Sequence, residues 1–244
     1  MMKLGSIMIK IFRNIRKTLL NEGKTRQYLK YAVGEIILVV IGILIALQIN
    51  NWNGKRIEKT EEQNYYQNIK RQLNEDKKAI VINIDYNHSF LVQFEQAIAI
   101  IEQNDRSQSK TLAKISLNLI EFSDFHRQGN IYEAMVNSGE IKLLKNQQII
   151  EDLQQLEEKY IYINKLEDTH SQAVIEFVVP SIMGSLNVNN AQVENEEKLF
   201  SFEFQNLFVL LADLMTDKNE AYSNAVSRIE QIDALINEEL GIKL

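Results

Sequence analysis

Residues 31–49 read YAVGEIILVVIGILIALQI, and between Ile36 and Leu47 no side chain is polar. Nineteen residues in a helix rise about 28 Å at about 1.5 Å each, close to a hydrocarbon thickness of about 30 Å. Trp52 follows on one side, and Tyr28 and Tyr31 stand on the other, where interfacial aromatics belong. Lys30 has the stem to snorkel outward. A core helix of a soluble protein would not need these flanks, so the stretch reads as a transmembrane helix over residues 31–52. A cleaved signal peptide fits less well. Its basic region would run to about thirty residues, and Ala46 is followed by Leu-Gln-Ile-Asn-Asn-Trp, with no small-x-small site. The expectation is an uncleaved signal anchor.

Outward toward the N-terminus, residues 1–30 carry eight bases (Lys3, Lys10, Arg13, Arg16, Lys17, Lys24, Arg26 and Lys30) against the single acid Glu22. The rest of the chain carries 19 bases and 32 acids. A basic arm before one span predicts a cytoplasmic N-terminus and an exported acidic body, residues 53–244. Ile7, Met8, Ile11, Phe12, Ile15 and Leu19 share one helical face, and Lys10, Arg13, Arg16 and Lys17 take the other. That is an amphipathic basic helix, with Gly23 as its stop. It would lie in the membrane surface, its four bases against anionic lipid headgroups. An arm tied to a bilayer is no nucleic-acid binder.

Inside the span, Gly34, Leu38, Gly42 and Ala46 recur every fourth residue. Small residues at this spacing permit close helix approach, so they form an expected self-association face. Glu35 lies one turn inside the cytoplasmic border, where a carboxylate reaches headgroup water.

Beyond the span the chain is poor in turn residues, with one Pro and nine Gly overall. Average usage would supply about 12 and 17. That argues against a many-turned β fold. No Cys is present, so disulfides, thiolate zinc sites and Cys nucleophiles are excluded. Ile69, Leu73, Ile80, Ile84, Leu91, Phe94, Ile98 and Ile101 follow helical spacing, although Ile80–Tyr86 also alternates like a strand. A turn at 104–109 with Ser109 as N-cap, a short helix at 110–122, and a helix capped by Asn130 and ended by Ser138-Gly139 should follow. Asn146 should cap a helix over 147–178 that stops before Pro180. A polar loop (184–197) and helices at 203–216 and 219–239 complete the expectation. Phe200, Phe202 and Phe204 alternate briefly.

The helix at 147–178 carries the sharpest polar signal. Its seam is Leu153, Leu156, Tyr160, Ile163, Glu167, His170, Val174 and Phe177, in steps of three and four. Glu167 and His170 therefore sit where leucine is expected. Two chemistries fit. Glu-x-x-His on an inward face is one element of di-metal helical bundles, and Asp85-x-x-His88 is a second acid-x-x-His. A hydrogen-bonded polar layer that sets helix register is the plainer reading, and a ligand or pH-sensing pocket is a further one. Ser123, Asp124 and His126 crowd one short loop, which is not how a catalytic triad assembles. No phosphate-binding loop, nucleophile elbow or calcium loop is present.

MIKIFRNIRKTLL (8–20) with YAVGEIILVVIGILIALQINNWN (31–53) resembles the N-terminus of a Bacteroidota family of single-pass membrane proteins defined only as a domain of unknown function. NIYEAMVNSGEIKLLKN (130–146) resembles a later segment of that family. The resemblance implies an inner-membrane anchor and a mostly helical periplasmic domain. It brings no activity, ligand or catalytic residue.

The sequence thus predicts an all-α protein in three parts: a basic amphipathic arm (1–30), one membrane span (31–52) and an exported helical bundle (53–244). The expected role is a scaffold or accessory subunit of a cell-envelope complex, not an enzyme, with no cofactor. Expected partners are the lipid bilayer, other copies of the chain and other envelope proteins. A ligand-sensing exported domain is the alternative, and a di-metal enzyme is the third reading. A sensor should show a pocket with convergent polar groups; a scaffold should show an exposed apolar patch.

Overall fold

The structure, a computed structural model, describes residues 25–127 and 129–242 together with Arg13, Asn14 and Lys17. It is nearly all helical, and falls into two compact units, residues 1–60 and 61–244. The basic amphipathic helix expected over residues 7–19 lies largely outside the described residues.

In the first unit, α1 (Thr25–Glu102) begins with the apolar run. None of the most apolar stretch is buried, and α1 is long and apolar enough to cross a membrane. Ile36 is 63% exposed and Ile43 61%. Side chains this apolar all round a helix need a non-aqueous surrounding, because each would gain about 1.5–3 kcal/mol on leaving water. Trp52 is also exposed, with the Arg56 guanidinium 5.9 Å from its ring centroid.

The second unit opens with the rest of α1. Ile69, Leu73, Ile80, Phe94 and Ile101 are buried along it, and Ile84, Leu91 and Ile98 are half-buried. Residues 80–86 are helical, so the strand-like alternation there is incidental. Asn104, at φ 49°, turns the chain. The next helix, α2 (Ser109–Leu117), is followed by a 3-10 turn (Asn118–Ile120). Ser109 is not its N-cap. Its hydroxyl donates backward to the Arg106 carbonyl, which leaves Gln108 at the cap position without a side-chain bond. Helix α3 (Ile131–Ser138) starts as its sequence indicates: Asn130 Oδ1 accepts from the Glu133 N–H at 2.8 Å. It ends at Gly139, whose φ of 74° is one that a Cβ would oppose. Helix α4 (Gln147–Ala173) is capped by Asn146, which accepts from the Ile149 N–H.

Several expectations are corrected. The helix does not stop before Pro180. A π-helical turn (Val174–Val178) leads into α5 (Val179–Met183), and the Val179 N–H bonds back to the Val174 carbonyl. The wider turn takes in one extra residue where proline has no N–H to offer. It also slips the seam by one place, so Val178 is buried and Phe177 is exposed. The polar loop contains a small antiparallel ladder, β1 (Leu186–Asn187) with β2 (Gln192–Val193), which tightens around Ala191 at φ 55°. After α6 (Glu196–Leu199), the two expected C-terminal helices are one, α7 (Phe202–Leu240). The chain around Asp217-Lys218-Asn219 is polar but contains no helix breaker. Ser201 caps α7, so Phe200 and Phe204 are buried four apart while Phe202 is exposed. That is helical spacing, not strand alternation.

α1, α4 and α7 share two apolar cores. One gathers Phe94, Leu112, Val178, Phe204 and Phe208. The other gathers Ile69, Ile80, Leu153, Ile163, Tyr222 and Ile232. In each helix a polar residue is buried at the crossover between cores: Asn87 in α1, Glu167 and His170 in α4, Lys218 in α7.

Candidate functional site

The polar layer is built on Glu167. Its Oε1 accepts from the Phe125 N–H at 2.8 Å and from the Tyr222 hydroxyl at 2.5 Å. With the phenol proton spent there, the Ser123 hydroxyl, 3.2 Å away, donates to the Tyr222 oxygen. The Lys218 ammonium donates to the Ser123 carbonyl at 3.2 Å and lies 5.7 Å from the Phe122 ring. His170 stacks on Phe122 with centroids 5.4 Å apart. Neither of its ring nitrogens has a protein partner among the described residues. Beside the layer, Asn87 donates to Asn219 at 2.8 Å.

Burial dominates the electrostatics. It drives His170 down to about 3, with the Lys218 charge adding to the effect, so the imidazole is neutral. Burial lowers Lys218 to about 8, opposed by the carboxylates of Glu167 and Asp124. Burial raises Glu167, opposed first by the Tyr222 hydrogen bond and then by the Phe125 N–H.

A cleft of about 680 Å³ opens over this layer, between α4 and the segment after Glu121. Its α4 face presents Tyr160, Asn164, Glu167, Asp168 and Ser171. At one end Arg127 pairs with Glu157 at 2.6 Å and lies 4.8 Å from the Tyr160 ring centroid. The Tyr160 hydroxyl donates to buried Asp76 at 3.0 Å, and burial pushes that carboxyl up to about 6. His126 and Asp124 pair at 3.0 Å on the exposed rim. Both bonds to Glu167 go to Oε1, which leaves Oε2 without a hydrogen-bond partner among the described residues in a residue that lines the cleft. The side chains of Asn164, Asp168 and Ser171 make no hydrogen bond among the described residues.

Glu167 and His170 are thus inward, but Asp85 and His88 are exposed on α1. The four do not form one ligand set. Among the described residues no group of three or more His, Cys, Asp or Glu side chains converges as metal ligands would. The helix periodicity turns Asn87, not His88, toward the core. Of the surface bases, Arg13 and Lys17 are exposed, while Lys10 and Arg16 lie outside the described residues. Gly34, Leu38, Gly42 and Ala46 are all exposed, and a Cβ placed on Gly34 or Gly42 would meet nothing within 4 Å. Sequence reasoning did not find Lys218 or Tyr222. The signal was there: Leu211, Met215, Lys218, Tyr222 and Ala225 continue one seam in steps of four and three.

Residues 35–170 match the family model described as "Family of unknown function (DUF6090)". The chain belongs to this family. The DUF6090 match begins at Glu35 and ends at His170, so it includes most of the apolar run, the loop of the cleft and the acidic residue at its floor. Lys218 and Tyr222, which complete the layer from α7, lie after the matched residues. No curated protein and no solved structure matches the chain.

Proposed function

We propose that this DUF6090 member is a non-enzymatic, single-pass protein of the bacterial inner membrane. Its N-terminus is cytoplasmic, its helical domain is periplasmic, and it acts as a scaffold or accessory subunit of an envelope complex. The eight bases before the exposed apolar run support the orientation. The observation that carries the scaffold role is apolar surface around one of the two cores. Ile175, Val179 and Met183, before the β1–β2 hairpin in sequence, and Phe202, Val209 and Leu210, after it, are all exposed. Large apolar side chains left on a surface mark places that meet other proteins. In-cell crosslinking of the full chain, followed by purification in mild detergent, should recover envelope proteins. Met183→Lys with Phe202→Lys should lose them while the chain stays folded and inserted. A C-terminal alkaline phosphatase fusion should be active and a C-terminal GFP fusion dark; the reverse pair would overturn the topology.

The cleft favours a second reading, in which the same domain senses a small ligand. Polar groups that converge on a cavity with aromatic walls are what ligand sites are made of.

A further inference from the structure

The cleft's charges, taken pair by pair, indicate what it would hold. Arg127 is neutralised by Glu157 at 2.6 Å, and His126 is held by Asp124 at 3.0 Å. Of the remaining carboxylates, Asp168 has no cation in the lining and Glu167 is opposed only by Lys218, which lies outside it, so carboxylates outnumber cations in the cleft wall. Asp168 is exposed, but Glu167 is only 5% exposed. Oε1 is met twice, while Oε2 has no hydrogen-bond partner among the described residues and keeps solvent contact where the residue lines the cleft. An anion is therefore repelled. A bare metal ion is ill served, because among the described residues no three ligand side chains converge. The volume, about 680 Å³, is that of a site for an organic molecule, and Phe122 and Ile161 supply wall for a carbon skeleton.

Resting on the ligand-sensing reading, we propose that the cleft binds a small organic ammonium ion. The ammonium donates to Glu167 Oε2 and to the Asp168 carboxylate, with the Asn164 amide oxygen as a third acceptor. The carbon chain lies along Phe122 and Ile161. An alkylammonium has three donors and one charge, which matches these acceptors.

The test uses the full chain purified in detergent and isothermal titration with three probes: n-butylammonium, butyrate and Mg²⁺. Saturable binding of n-butylammonium is expected, with none of butyrate. Asp168→Asn should weaken it about tenfold, the loss expected when one charge-assisted bond goes. Glu167→Gln should abolish it. Glutamine keeps an acceptor for the Phe125 N–H and the Tyr222 hydroxyl, so this variant should retain the wild-type circular dichroism; if it does not fold, Asp168→Asn decides alone. Ammonium binding that is unchanged in Asp168→Asn overturns the proposal, as does Mg²⁺ binding with the same dependence on Asp168. Butyrate binding without ammonium binding leaves the sensor reading standing and removes the ammonium. Silence with all three probes removes both.

Discussion

Tyr222 and His170 meet the centre of the bundle on different terms. Tyr222 is fully buried and donates to Glu167, so Tyr222→Phe strips a buried carboxylate of a donor. The expected cost is about 1–3 kcal/mol, read as a lower urea midpoint. His170 is equally buried but has no hydrogen-bond partner among the described residues. His170→Leu replaces a desolvated imidazole by an apolar group, and should be neutral or stabilising by about 1 kcal/mol. Replacing Glu167 and His170 together by leucine is no longer the benign change that the α4 seam alone implies. It would leave Lys218 without its carboxylate and Tyr222 and the Phe125 N–H without an acceptor, at about 3–5 kcal/mol.

His170 also sets a pH slope. Its imidazole titrates near 6.5 when unfolded and near about 3 when folded. Between those values the unfolded chain binds the extra proton, so stability falls as pH falls, by up to about 1.4 kcal/mol per unit. Above pH 6.5 this group contributes no slope. Asp76 and Glu167, both raised by burial, act in the opposite sense, because the folded state holds their protons longer. Denaturation of wild type and His170→Leu at pH 7, 6 and 5 isolates the histidine: the difference between the two proteins should grow toward acid. An unchanged difference would show that His170 is not desolvated. Much of this layer was legible, since step-of-three-and-four spacing turns Glu167 and His170 inward without any structure. Their partners were not. Tyr222 lies 55 residues from Glu167, and Phe125 reaches it through a backbone N–H that carries no residue signature.

At the scale of elements, two of the three expected N-caps hold, and Ser109 does not, because its hydroxyl turns back to the Arg106 carbonyl. Asn130 and Asn146 both cap where their residue type and the following apolar period indicate. Asn146 also donates to Glu239 at the end of α7, at 2.7 Å. Asn146→Ala should therefore cost about 1 kcal/mol for the cap alone. It should also raise hydrogen exchange in the first turn of α4, and Asn146→Asp should restore most of the cap. The elements that escaped the sequence share a cause. Pro180 is a stop signal only if the turn before it is α-helical, and the π-turn removes that condition. Polar residues at 216–220 look like a loop until Lys218 is seen to be buried. Local pattern does not distinguish a break in a seam from a deliberate polar step within it.

On the scale of the whole molecule, the strongest signals were the least local in composition: a run of apolar residues and a charge asymmetry around it. Both survive any error in helix boundaries, which is why the long apolar helix was legible when α7 was not. Self-association is the prediction that belongs here. The Gly34/Leu38/Gly42/Ala46 face is exposed along its length, and a Cβ on either glycine would meet nothing within 4 Å among the described residues. A second copy of the helix could approach closely along it. Gly42→Ile should lower the oligomer size in detergent and leave membrane insertion intact. Equal monomeric sizes for both proteins would remove the face from consideration.

Lys218 has one further consequence. It is the single fully buried lysine among the described residues, while its fellow amines meet solvent. An acylating reagent will therefore mark the surface lysines within minutes and reach Lys218 only when the middle of the bundle opens. The lag between the two, read by peptide mass spectrometry, is a clock already wound into the chain. It times the opening of the domain from its centre, in intact cells as readily as in detergent, with no label added and no residue changed.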